Sequence, residues 1–134
     1  MFRLNSIFKA INQPGREVLK ISRERLVPLL RYLVELEKFL SSLRLDHTPY
    51  FVKFLERMKL NVETCIELEY MEWENIEASL RRDWEEANDT FLGIPGFAMP
   101  GLTEEERIER TFRFLRYVST INTIVTGEKE QVML

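Results

Sequence analysis

Glu69 and Glu72 stand one helical turn apart in Tyr50 to Leu92, the longest stretch of this 134-residue sequence without Gly or Pro. Glu37 lies on the preceding helical segment, among Leu26, Leu30, Leu33 and Leu40. Carboxylates sent inward from two facing helices can hold Mg²⁺ or Mn²⁺ through oxygen ligands. A metal held that way can activate water for hydrolysis.

Glu69 is the sharpest of these residues. At about 100° per residue, the stretch carries one apolar stripe through Phe51, Leu55, Met58, Val62, Cys65, Ile66, Trp73, Ile76, Leu80, Trp84, Ala87 and Phe91. Glu69 falls in the middle of that stripe. A lone buried carboxylate is costly, so it must be paired, metal-bound or protonated. An ion pair with Arg107 or Arg110 of the last helix comes first among the expectations. Pairing across an oligomer interface comes second and a metal site third. The metal reading makes the chain a divalent-metal-dependent hydrolase of the general kind seen in helical nucleotide pyrophosphatases. A di-iron carboxylate centre is disfavoured, because the Glu-x-x-His element is missing.

Other chemistry is sparsely represented. His47 is the only histidine and sits in a connection beside Asp46, a surface or capping position. Cys65 is the only cysteine, which excludes an intrachain disulfide framework and a cysteine-rich zinc site. Its place on the stripe reads as a small buried hydrophobe. There is no P-loop and no GxGxxG, and no local motif supports a Ser-His-Asp or Cys-His nucleophile. No catalytic residue is assigned and no cofactor is expected, Mg²⁺ or Mn²⁺ being the one candidate.

The elements that must position these residues read as helices throughout. Residues 2–12 form a short amphipathic segment ended by Gln13-Pro14-Gly15. Residues 16–43 are helical with three- and four-residue apolar spacing, and Pro28 either kinks that helix or opens a new one. Thr48-Pro49 is a start signal for a helix over 49–92, about 65 Å long if unbroken. A kink near Asn61 to Thr64 is the alternative. Residues 93–102 hold three Gly and two Pro and form a loop. Thr103 and Glu106 match a capping box for a helix over 104–126, with Gly127 as its stop. Residues 128–134 read as a tail. The expected architecture is therefore a single all-α domain: a mostly antiparallel bundle of three to four helices around one long central helix.

Composition narrows the function classes. Hydrophobic content of 45% and charged content of 31% fit a soluble bundle. No run approaches the roughly 18 apolar residues of a membrane span, and a cytoplasmic location is expected. Glu occurs 19 times against two Gln, and Arg outnumbers Lys 13 to six, a bias shared with heat-adapted proteins.

Charge is strongly polarised along the chain. Residues 1–60 carry +6, residues 61–106 carry −11 and residues 107–134 carry +2. Acidic and basic helices packed side by side account for this. A basic face built on Arg16, Lys20, Arg23 and Arg25 that meets nucleic acid is the competing account. The overall pI near 5.4 works against broad DNA binding.

Two stretches are sticky. Tyr117 to Gly127 is uncharged, and the Gly/Pro loop carries Ile94, Phe97 and Met99. With Tyr117, Ile121 and Ile124, these are the expected interface residues, set against a plain core role. The leading expectation is a non-catalytic interaction or assembly module, a homo-oligomer or a small subunit of a larger complex. A nucleic-acid-associated subunit is second, and the metal-dependent hydrolase third.

Overall fold

A computed structural model describes Ile21 and residues 23–127. These form four α-helices: α1 (Leu26–Ser42), α2 (Val52–Glu67), α3 (Trp73–Ala87) and α4 (Glu104–Thr126). No strand occurs among the described residues. Each helix packs on the next, and α4 also packs on α1, so the four close into a ring. The architecture is an all-α helical bundle, as the spacing of apolar residues requires.

Helix α1 buries Leu26, Leu29, Leu33, Leu36, Phe39 and Leu40, one continuous face at three- and four-residue spacing. A 3₁₀ turn, Arg23–Arg25, precedes it. Pro28 lies in the first turn of α1, where its missing N–H has no intrahelical acceptor to lose. It opens this helix and does not kink it. Of the segment expected to be helical from residue 16, the part before residue 21 lies outside the described residues, as do the short helix over 2–12 and the tail over 128–134.

The long central helix expected over 49–92 is instead two helices. Helix α2 ends at Glu67, and the chain turns back through Leu68–Glu72. The closing geometry is a Schellman motif: Tyr70 N–H donates to Cys65 O at 2.9 Å and Glu69 N–H donates to Ile66 O at 3.1 Å. Glu69 (φ 53°) and Tyr70 (φ 67°) both adopt the left-handed conformation. No Gly, Pro or Asn marks this break, which is why periodicity ran straight through it. The reason is tertiary. A rod of about 65 Å has most of its stripe beyond the reach of the 17-residue α1. Folded back, α2 (Phe54, Leu55, Met58, Val62, Cys65) and α3 (Leu80, Trp84, Ala87) bury their faces against each other.

The loop from Asn88 to Thr103 is tied down locally. Asp89 Oδ2 accepts from the N–H groups of Phe91 and Leu92 at 3.1 and 2.9 Å. A Cβ at Gly93 would lie 2.3 Å from Ala87 O, so only glycine allows the chain to pass the end of α3 this closely. Helix α4 starts as its sequence indicates. Thr103 Oγ1 accepts from Glu106 N–H at 3.1 Å, and Glu106 Oε1 accepts from Leu102 N–H at 3.0 Å. Gly127 (φ 77°) ends it.

Candidate interaction surface

The carboxylates singled out by spacing do not converge. Glu37 pairs with Lys59 Nζ at 2.8 Å across the α1–α2 contact. That hydrogen bond, followed by the Glu37 charge, raises the Lys59 pKa. Glu72 is exposed and accepts from Asn75 Nδ2 at 2.9 Å. Glu69 is exposed in the α2–α3 turn and makes no ion pair among the described residues. Among those residues no group of three or more His, Cys, Asp or Glu side chains is placed to hold a metal ion.

The expected buried pairing of Glu69 with Arg107 or Arg110 is overturned. Arg107 Nη1 donates to Gly101 O at 2.9 Å, and Arg110 Nη1 donates to Pro100 O at 2.8 Å while lying 3.5 Å from Glu106. Both arginines fasten the Gly/Pro loop to α4.

The buried acids are two others, Glu77 and Asp83, each 4% exposed. With Leu80, Trp84 and Ala87 they occupy the inward face of α3 at three- and four-residue spacing. That spacing is readable in the sequence, although charge alone marks the segment as a solvated ridge. Glu77 Oε2 lies 2.9 Å from Arg81 Nε and accepts from Ile21 N–H at 3.4 Å. Asp83 meets Arg57 only through Oδ1, at 3.1 and 3.2 Å, and its buried Oδ2 has no hydrogen-bond partner. Burial raises the Asp83 pKa, and Arg57 offsets the effect only in part.

The expected interface residues belong to the core. Ile94, Ile121 and Ile124 are buried, and Phe97, Met99 and Tyr117 pack against them half-buried. Phe97 meets the rings of Phe51 and Phe114 at centroid distances of 5.5 and 5.4 Å. Tyr117 to Thr126 is uncharged because the last turns of α4 are enclosed: Ser119 and Ile121 through Thr126 are all buried.

The basic set is only partly placed. Arg16 and Lys20 lie outside the described residues. Arg23 is exposed with its guanidinium 5.9 Å from the Tyr70 ring centroid, and Arg25 is half-buried. His47 is exposed in the α1–α2 turn. It borders a cleft of about 360 Å³ whose walls carry Glu37, Arg44 and Glu56, charges of both signs with no directed arrangement.

What remains is a surface that the sequence reading passed over. The first half of α4 carries two apolar faces. Phe114 and Val118 point into the core. Ile108, Phe112 and Leu115 fall within a sector of about 60° that is centred roughly 120° away. Phe112 is 66% exposed, Ile108 50%, and Leu102 just ahead of the helix 95%. With Glu104, Arg107 and Thr111 the stripe lines an open groove of about 390 Å³. The 4-then-3 spacing of Ile108, Phe112 and Leu115 was the signal available in the sequence. The side chains of Ile108, Phe112 and Leu115 are hydrocarbon, so the chemistry of the stripe is that of burial against another apolar surface.

The chain matches no protein-family model, and comparisons with curated proteins and with solved structures gave no match.

Proposed function

We propose that this protein is a non-catalytic interaction module whose contact surface is the outer face of α4, centred on Phe112. The observation that carries this reading is the exposure of Phe112 and Ile108 at helical spacing beside a groove, while the neighbouring face of the same helix is buried in the bundle. A helix face of this kind docks against another helix or into a groove through anchors at i, i+4 and i+7. Ile108, Phe112 and Leu115 have that spacing. Full burial of a side chain such as Phe112 or Ile108 contributes about 1.5–3 kcal/mol, enough for these few residues to dominate a contact.

The test is photo-cross-linking of the full chain with a photoreactive phenylalanine analogue at position 112, in cell extract and with the purified protein. Adducts to polypeptide, of this chain or another, are expected. Illumination that yields no polypeptide adduct in either setting contradicts the reading.

A further inference from the structure

Resting on that reading, we infer that the occupant of the α4 face is a second copy of this chain, packed antiparallel about a twofold axis near Phe112. The argument is one of charge. Along one border of the stripe, about 100° to 140° from Glu104 around the helix, stand Glu105, Glu109 and Arg116. All three are exposed, and none makes an ion pair or hydrogen bond among the described residues. The nearby Arg113 is engaged elsewhere, its guanidinium 5.2 Å from the Phe39 ring centroid.

Glu105 and Glu109 are like charges at i, i+4, which repel each other along the helix. The border thus runs from acidic to basic along the helix axis. A twofold axis near Phe112 reverses that order in the partner. Arg116 of one copy then meets the acidic pair Glu105 and Glu109 of the partner subunit, and the contact is made twice. In a parallel twofold pairing this border would instead face the partner's opposite border, which offers Arg116 no acid at its level. A basic segment laid on the groove would satisfy the two glutamates and confront Arg116 with its own sign. A second copy satisfies both ends, and Phe112 meets its symmetry mate beside Ile108 and Leu115.

A contact limited to this stripe lies at the low end of specific interfaces, below about 1,200 Å² in total, so the dimer dissociates within the micromolar range. Sedimentation equilibrium of the full chain tests it. A monomer–dimer equilibrium is expected for the wild type. Arg116→Glu alone and Glu105→Arg/Glu109→Arg together are each expected to weaken it about tenfold. The charge-reversed triple variant Glu105→Arg/Glu109→Arg/Arg116→Glu is expected to return it to within about threefold of wild type, because acid again meets base. The three side chains are exposed and make no contact that folding needs, so unchanged circular dichroism accompanies every variant.

A wild-type monomer throughout the range, a dimer indifferent to Arg116→Glu, or a triple variant no better than the partial ones overturns the proposal. A position-112 adduct to residues 1–20 of the same chain overturns it too. A monomer that cross-links from position 112 to some other polypeptide overturns the dimer and leaves the docking face standing; no adduct of any kind overturns both.

Discussion

The indole N–H of Trp84 donates a 2.9 Å hydrogen bond to Asn122 Oδ1, joining α3 to α4 inside the core. Both residues are buried, Trp84 fully. Asn88 adds to this polar seam by donating from Nδ2 to Trp84 O at 2.8 Å. The bond fixes the register of α4, and with it the direction in which the outer stripe of that helix faces.

Asn122→Ala strands the indole N–H in an apolar setting. The expected cost is about 1–3 kcal/mol, the desolvation penalty of an unmade buried hydrogen bond. Trp84→Phe costs as much or more, since it also leaves a void. Urea unfolding of both single variants and the double variant checks the pairing. A coupling energy near zero would show that the two side chains do not act together.

Asp83 gives a pH signature. Its folded-state pKa lies above the ordinary value of 3.8, because burial outweighs Arg57. A raised pKa means that the folded protein holds the proton more tightly than the unfolded chain does. The resulting stability is fully present below the unfolded pKa and is lost as pH rises through the folded one. The stability of wild type relative to Asp83→Asn is therefore expected to fall as pH rises through that window. At neutral pH the two should lie within about 1 kcal/mol, since Arg57 is largely exposed. Arg57→Ala, which abandons the buried carboxylate, is expected to be the more harmful change at neutral pH. A wild type that gains stability relative to Asp83→Asn as pH rises would contradict the assignment.

Glu69 marks the limit of what the sequence disclosed. The helical character of the chain, the inward faces of α1 and α2, the cap at Thr103 and the stop at Gly127 were all readable from apolar spacing and terminal chemistry. The break at Glu69 was not, because the residues around it carry no turn signal and the stripe on either side stays nearly in phase. The chain reverses there because two short helices bury more together than one rod does alone. The same error placed Glu69 inside; Glu77 and Asp83, which share the face of Leu80, Trp84 and Ala87, were not singled out because their charge outweighed their spacing. The Phe112 stripe was missed for a different reason. It shares its helix with the core face, and the uncharged second half of that helix, Tyr117 to Gly127, is the more conspicuous apolar stretch in the sequence.

The left-handed turn yields its own test. Glu69→Gln is expected to change stability by less than about 0.5 kcal/mol, as for other exposed substitutions. Glu69→Gly removes the Cβ penalty of the left-handed conformation and is expected to be neutral or stabilising by up to about 1 kcal/mol. Glu69→Val at the same φ should destabilise. Thermal unfolding distinguishes these outcomes, and a loss of several kcal/mol for Glu69→Gln would restore the buried ion pair.

Thr103 caps α4 with Glu106 answering from the helix side. Thr103→Ala is expected to cost about 0.5–2 kcal/mol. The loss should fall on the first turn of α4, visible as faster amide exchange at Glu106 and Arg107. Uniform exchange across the helix would argue that the cap has no local role.

The central claim is that the α4 face around Phe112 makes contact with protein, and in the first instance with a second copy. The most direct measurement is the solution mass of the full chain beside that of Phe112→Glu. The side chain is exposed, so the substitution should change stability by less than about 0.5 kcal/mol. Wild type is expected above the 16.0 kDa of one chain at micromolar concentrations, with the variant at the monomer mass and equally well folded. The same mass for both proteins would contradict the account.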